Sequence, residues 1–300
     1  MRVLAAIGFG IAAYCLEGAH AQGSELTVPI VSLNWLKQTE GFEFEAEQSS
    51  QCLSISTKQS DSKSSITRKL KGVVARDGRY RYEIINTGGP DVGVNWIIAF
   101  DGKVTSIYES SNGINNAFIK RGPTLEDPFL ARANVVFMPF MFLKEKSFLP
   151  GDMGTYVSIE DILAASAVGW WAGLTSSDES EKTRDIFRKI TSEDGHKYEL
   201  VVSFNLENYL PTKVIFSTPS GNEKQIQEFV WEAWEVGLLL PVISTTKLFS
   251  VYQGLECDLV SKLLKFELLK LLDDQMFKID LSKVDHVYDR DKSVIIPLKK

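Results

Sequence analysis

Apolar and polar residues alternate along much of this chain. At 42–47 aromatic and small residues alternate with glutamates, and at 79–84 two tyrosines and an isoleucine fall on one side. This period of two is typical of a β-strand with one buried and one hydrated face. The pattern predicts an antiparallel sheet whose consecutive strands are joined by short turns. Pairs that supply the positive φ of such turns lie between the runs at Asp77-Gly78, Asp101-Gly102, Asp194-Gly195 and Gly221-Asn222.

Two stretches are typical of helices instead. An N-cap residue, acidic residues and an early proline at 124–128 predict a helix start. That helix is expected to continue through an apolar stretch to Leu143 and to end or kink at Pro139. Ser158 and Asp161 resemble a capping box before a second helix that ends near 167. Further runs typical of strands lie at 66–75, 96–100, 104–109, 197–204, 212–217, 226–234, 242–251, 259–268 and 276–281.

The first residues have the composition of an export signal. Arg2 precedes an apolar run at 3–16, and Ala19-His20-Ala21 has the small-x-small form of a cleavage site. Residues 1–21 are therefore predicted to be a cleaved signal peptide, and the mature protein to be periplasmic or secreted. In such an oxidising compartment Cys52 and Cys257 either form a disulfide or remain two buried thiols, and the sequence leaves both possibilities open.

The mature chain is expected to be one domain, 22–300, with an inserted helical region at about 124–175. No internal repeat divides it, and no linker is long enough to separate two domains. The polar stretch 175–182, which follows the inserted region, is predicted to be a solvated loop.

Charge and composition exclude several classes of function. A formal net charge of −6 disfavours nucleic-acid binding, which requires neutralisation of phosphates. His196 and His286 have no second histidine or cysteine three or four residues away. Nucleotide-binding glycine loops and the Gly-x-Ser-x-Gly motif of hydrolases are absent. We therefore predict no catalytic residue, no metal site and no cofactor, and we expect that the protein is not an enzyme.

A series of short motifs follows in a fixed order along the chain. The residues are Trp35-Leu36-Lys37-Gln38, Phe42-Glu43-Phe44, Gly72-Val73-Val74-Ala75-Arg76-Asp77-Gly78-Arg79-Tyr80-Arg81-Tyr82, Ile97-Ile98-Ala99-Phe100-Asp101-Gly102-Lys103, and Phe277-Lys278-Ile279-Asp280 with Val287-Tyr288-Asp289. In this order they resemble the LolA-type periplasmic carriers of outer-membrane lipoproteins. Asp77 departs from the proline that usually follows the arginine in that family.

The resemblance implies a fold, mainly β with helices (α+β). It is a curved antiparallel sheet that forms an incomplete (half) β-barrel, with a helical lid over its apolar concave face. Arg76 corresponds by motif position to the family arginine that hydrogen-bonds the lid, and Tyr80 to an aromatic residue on the cavity side. The candidate residues for cargo binding and lid coupling are Arg76, Tyr80, Tyr82, Phe42, Phe44, Phe137, Phe140 and Phe142.

Three functions remain open at this point. The first is a non-catalytic carrier of lipoprotein acyl chains, free lipid or another hydrophobic cargo, with a membrane-associated donor or acceptor protein as a further partner. The second is a secreted β-rich interaction or structural protein that binds carbohydrate or protein through exposed aromatic residues. The third is a hydrolase whose catalytic residues are dispersed along the sequence.

Overall fold

The structure is a computed structural model that describes residues 33–54, 64–90, 92–123, 134–143, 157–168, 175–179, 182–191, 195–235, 238–251 and 254–296. Within these residues the strands form one fifteen-stranded sheet. The strands are β1 (Gly41–Ser54), β2 (Ser64–Ala75), β3 (Tyr80–Gly88), β4 (Asn95–Phe100), β5 (Val104–Ser111), β6 (Ile114–Arg121), β7 (Thr175–Glu179), β8 (Thr183–Thr191), β9 (Lys197–Asn205), β10 (Pro211–Ser217), β11 (Glu223–Glu235), β12 (Leu238–Ser250), β13 (Leu255–Leu269), β14 (His286–Asp289) and β15 (Val294–Ile296).

The sheet is curved and does not close. Its strand order is β15-β14-β6-β5-β4-β3-β2-β1-β13-β12-β11-β10-β9-β8-β7, so β15 and β7 are opposite edges. Neighbouring strands are antiparallel, as the alternation and turn residues predict. The exception is β14, which pairs with β6 in parallel. Because β1 pairs with both β13 and β2, the two arms of the sheet meet at β1.

One face of the sheet carries the main apolar core, and most of the other faces water, apart from a small second cluster that packs there around Phe277. On β1 the side chains of Phe42, Phe44 and Ala46 are buried, whereas Glu45 and Glu47 are exposed. The alternation at 42–47 therefore places apolar side chains on the buried concave face and glutamates on the hydrated convex face, as predicted.

Charges on the convex face are complementary across the strands. Glu45 lies opposite Lys265 on β13 and opposite Lys71 on β2. The Lys265 Nζ atom donates a hydrogen bond to Glu43 Oε1 at 3.1 Å. Opposite charges at facing positions stabilise strand pairing, so the acidic residues of β1 have a structural role in the convex face.

The helices within the described ranges are short. They are α1 (Asn34–Gln38), α2 (Ile159–Val168), and 3-10 helices at Met138–Leu143, Asp274–Phe277 and Leu281–Lys283. The predicted capping box of α2 is present, since Ser158 N donates to Asp161 Oδ2 at 2.9 Å and Asp161 N donates to Ser158 Oγ at 3.1 Å. Residues 1–21 and 124–133 lie outside the described residues, so the predicted signal peptide and the predicted helix start at 124–128 stay predictions.

Three local predictions are wrong. The expected strand at 276–281 is replaced by two 3-10 turns, because the carboxylates of Asp273 and Asp280 accept hydrogen bonds from backbone N–H groups two residues later, at 2.9 Å each. The polar stretch 175–182 contains a strand, β7, whose pairing with β8 outweighs its low β-propensity. Pro139 does not end the apolar helix. It is the second residue of a 3-10 helix, where no backbone N–H is required.

Gly72 allows an aromatic ring to lie over β2. It is paired with Phe44 on β1 and with Tyr82 on β3. A Cβ atom at Gly72 would lie 2.2 Å from Cε1 of the Phe44 ring. Because no side chain intervenes, the Phe44 and Tyr82 rings approach to 6.4 Å between centroids across the intervening strand.

We expect Gly72→Ala to lower the free energy of unfolding by about 1–3 kcal/mol, because the buried Phe44 ring must move to admit the methyl group. Urea denaturation followed by tryptophan fluorescence measures the change. Gly88→Ala on β3 is the control, since a Cβ atom there meets its nearest neighbour, Thr67 Oγ1, at 3.3 Å. We expect that variant to change the free energy by less than about 0.5 kcal/mol. Equal losses in the two variants would contradict the steric explanation.

Candidate functional site

Four aromatic side chains form the centre of the concave face. Phe42 and Phe44 come from β1, Tyr80 and Tyr82 from β3, and all four are at most 1% exposed. The tyrosine rings stack at 5.2 Å between centroids, and the phenylalanine rings are 6.3 Å apart. Alternation along each strand places them on one face, and strand pairing brings them together. We call these four residues the aromatic floor.

Residues 134–143, which we call the covering segment, lie across the concave face. The Asn134 side chain starts this segment, since its Oδ1 atom accepts a hydrogen bond from Phe137 N at 3.2 Å. The covering segment reaches from β1 to β9 and β11, which are several strands apart in the sheet. Its ring contacts, given as centroid separations, are Phe137 to Phe42 at 5.2 Å, Phe140 to Trp231 at 5.9 Å, and Phe142 to Phe204 at 5.7 Å.

Both helices add to this cover. The Trp35 indole of α1 packs edge-on against Phe42 at 5.8 Å and Phe266 at 5.4 Å. Ile159 and Ile162 of α2 are fully buried in the same core cluster. In the described part of the chain, short helical segments and not a second sheet therefore pack on the concave face.

Arg76 joins the two helices to the sheet. It follows the last residue of β2, and its Nη1 atom donates to the Lys37 carbonyl oxygen in the last turn of α1 at 3.0 Å. Its Nε atom donates to Glu160 Oε1 in the first turn of α2 at 3.2 Å. Within the described residues, these two hydrogen bonds tie α1 and α2 to the end of β2.

An open cleft of about 360 Å³ lies beside Arg76. Most of the residues that line it are polar or charged; they are Glu40, Arg76, Asp77, Gly78, Ser158 and Glu160. This cleft is at the rim of the concave face, and its chemistry does not suit an acyl chain. The apolar surface lies beneath α1, α2 and the covering segment.

A row of polar side chains crosses the concave face beyond the aromatic floor, and sequence analysis did not identify it. Its members are directly paired across adjacent strands, in the order Ser244 on β12, Ser261 on β13, Gln48 on β1, Arg68 on β2 and Asn86 on β3. Gln48 Nε2 donates to Ser261 Oγ at 3.0 Å. Ala46 lies two residues before Gln48 on β1, and Leu263 lies two residues after Ser261 on β13. Both belong to the apolar core, so the core adjoins this row.

Cys52 and Cys257 are directly opposite each other on β1 and β13. Their sulfur atoms are bonded at 2.12 Å, and 205 residues separate them in sequence. The disulfide therefore connects the two arms of the sheet at the end of β1 that carries the polar row.

No group of three or more His, Cys, Asp or Glu side chains in the described part of the chain could hold a metal ion. None of the helices described here has the length and apolar character needed to cross a membrane.

Comparison with solved structures finds similar folds at low sequence identity. A DUF1329 family protein from Desulfovibrio piger is 12% identical, with a TM-score of 0.43 over 84% of this chain and 95% of that one. A putative outer membrane lipoprotein-sorting protein domain from Vibrio parahaemolyticus is 14% identical, with a TM-score of 0.40 over 83% and 95%. A LolA superfamily protein from Nitrosomonas europaea is 12% identical, with a TM-score of 0.40 over 79% and 90%.

The last of these is named as a member of the LolA superfamily, the family that the sequence motifs resemble. No protein-family model and no curated protein matches the chain. At such identities the cargo has to be inferred from the residues of this chain.

Proposed function

We propose that this protein is a non-catalytic carrier or binding protein for lipoprotein acyl chains or another hydrophobic cargo. The cargo binds on the aromatic floor after α1, α2 and the covering segment, which together act as a lid, move away. A membrane-associated donor or acceptor protein is a further expected partner.

The observation that supports this proposal most strongly is that short helical segments cover the concave face. A second sheet would bury the concave face over its whole length, whereas short helical segments with few polar ties can separate from it. The face beneath is aromatic and aliphatic, and each methylene group that it removes from water contributes about 0.8 kcal/mol. In the closed form the lid residues Phe137, Phe140 and Phe142 occupy the surface that acyl chains would contact.

The alternative, binding of carbohydrate or protein through exposed aromatic residues, has less support. Within the described part of the chain, Phe249 is the only aromatic side chain among the exposed large hydrophobic residues, at 36% exposure. The aromatic residues of the floor are buried, so they become available to a partner only after the lid opens.

An exported location agrees with the disulfide. Cys52 and Cys257 are bonded, and disulfides persist in oxidising compartments such as the periplasm. The signal peptide proposed for residues 1–21 would deliver the chain there. N-terminal sequencing of the mature protein is expected to begin at Gln22.

Uptake of an acyl chain tests the proposal directly. Delipidated protein should bind a fluorescent fatty acid while folded, and native mass spectrometry of protein as purified should detect retained lipid. Absence of both uptake and retained lipid would refute the carrier function.

We expect Arg76→Leu to change the rate of lipid uptake or release about tenfold, with a small effect on stability. Arg76 donates one hydrogen bond to each helix, and its side chain is 37% exposed, so the two ties are worth about 1–2 kcal/mol together. A loss of 1.4 kcal/mol shifts the ratio of open to closed states about tenfold. Stopped-flow fluorescence of lipid exchange and thermal unfolding measure the two effects.

Arg81→Leu is the matched control. Arg81 also donates to a backbone carbonyl, that of Lys278 at 2.8 Å, and pairs with a carboxylate, Glu83 at 2.9 Å, but on the convex face. Its loss should leave lipid exchange unchanged. If Arg76→Leu and Arg81→Leu exchange lipid at the same rate as the unmodified protein, Arg76 is a structural residue only.

A further inference from the structure

Among the residues that the structure describes, three adjacent buried polar side chains on the concave face have no hydrogen-bond partner. They are Gln227, Ser244 and Thr246, at 0%, 2% and 2% exposure. Both amide atoms of Gln227 and both hydroxyl oxygens are unpaired. Buried polar groups in folded proteins are nearly always paired, so three adjacent exceptions call for an explanation.

Strand pairing places the three together. Thr246 on β12 is directly opposite Gln227 on β11. Ser244 is two residues from Thr246 on the same strand and therefore on the same face, roughly 7 Å away. Phe229, two residues from Gln227, belongs to the apolar core. The three polar groups thus lie at the margin of the apolar surface that the proposed cargo would occupy.

We propose that Gln227, Ser244 and Thr246 form a subsite that donates hydrogen bonds to the ester or amide carbonyls at the head of an acylated ligand. This inference rests on the proposed function and specifies its cargo. The acyl chains would lie on the aromatic floor, and the carbonyl groups would reach the three donors. Leaving these donors unpaired destabilises the closed form, and pairing them with a ligand stabilises the bound form.

The chemistry of the subsite favours a neutral polar group over an anion. None of the three side chains is charged, and a desolvated anion requires a cation close by. Arg68 is the cation in the same polar row, but three strand spacings separate it from Ser244, roughly 14 Å. The carbonyl groups of a diacylglyceryl moiety need donors and no cation. A free glycerolipid and the lipid-modified terminus of a lipoprotein both carry this moiety.

A matched pair of lipids tests the subsite. A short-chain diacyl phosphatidylcholine and its dialkyl ether counterpart of equal length differ in the two carbonyl groups. We expect the delipidated protein to bind the ester lipid at least about tenfold more tightly, because the ether leaves the buried donors unpaired. A synthetic diacylglyceryl-cysteine lipopeptide and its ether analogue form a second arm, and the tighter of the two ester ligands identifies the source of the moiety.

The double variant Gln227→Leu/Thr246→Val should remove the preference, so that ester and ether lipids bind within about twofold of each other. It should also melt no lower than the unmodified protein, since it replaces unpaired polar groups with apolar ones. Gln48→Leu is the control for stability: it breaks the hydrogen bond to Ser261 and should lower the melting temperature by about 2–4 °C.

Three results would overturn the inference, and they are distinguishable. Equal binding of the ester and ether lipids by the unmodified protein overturns the subsite and leaves the carrier function intact. Binding of neither lipid in both arms overturns the carrier function and the subsite with it. A double variant that melts as far below the unmodified protein as Gln48→Leu does would assign Gln227 and Thr246 a structural role instead.

Discussion

Phe140→Asp should open the concave face while leaving the sheet folded. Phe140 is 2% exposed and its ring packs against Trp231. Removing a buried phenylalanine side chain costs about 3–5 kcal/mol, and a carboxylate cannot remain in that apolar contact. The closed state should therefore lose more than a hundredfold in population. Binding of a hydrophobic dye should rise strongly, and retention of a bound fatty acid should fall.

Phe249→Asp provides the control for Phe140→Asp. Phe249 is on β12 and exposed, so the same chemical change there should alter neither dye binding nor lipid retention. Far-UV circular dichroism distinguishes lid opening from unfolding, because opening preserves the strand signal. Loss of that signal in Phe140→Asp would mean that the covering segment is part of the core on which the sheet depends.

The sequence predicts the strands well where alternation is regular, because the period of a strand is a local property. At 42–47 the buried and exposed faces are as expected. β6 was missed because Asn115 and Asn116 interrupt its apolar residues. β8 was missed because its buried residues, Ile186 and Ile190, are four positions apart. Pairing with neighbouring strands stabilises both, and pairing is not visible in a local pattern.

The candidate site shows the same division between local and long-range information. The aromatic floor can be predicted from the alternation along β1 and β3. The partners of Arg76 cannot be predicted from a local pattern, since Lys37 and Glu160 lie 39 and 84 residues away in the sequence. The motif resemblance predicts that Arg76 hydrogen-bonds a lid, which stays a prediction; the structure shows that it contacts α1 and α2.

The buried polar pair Gln227 and Thr246, beside the polar row, is harder still to predict from the sequence. A polar residue on a strand faces water or the core according to a register that the partner strand sets. Thr246 and Lys247 are both polar by sequence, yet Thr246 faces the core while Lys247 is exposed. Only the pairing of Thr246 with Gln227 shows that two polar residues meet inside the protein.

Removing the disulfide should have the largest effect on global stability without opening the concave face. We expect Cys52→Ala/Cys257→Ala to lower the free energy of unfolding by about 2–5 kcal/mol. The bond closes a segment with a sequence separation of 205 residues, so its main effect is to restrict the unfolded chain. In the folded protein β1 and β13 remain paired along their whole length. Urea denaturation should show the loss.

Dye binding distinguishes the effect of Cys52→Ala/Cys257→Ala from that of Phe140→Asp. Because the disulfide lies on the sheet and not on the lid, the double alanine variant should bind no more hydrophobic dye than the unmodified protein until it begins to unfold. Protein reduced by dithiothreitol should reproduce both the lower stability and the low dye binding. If the variant instead binds dye like Phe140→Asp under native conditions, the disulfide holds the concave face closed, and the two arms of the sheet move apart at β1 and β13 when cargo enters.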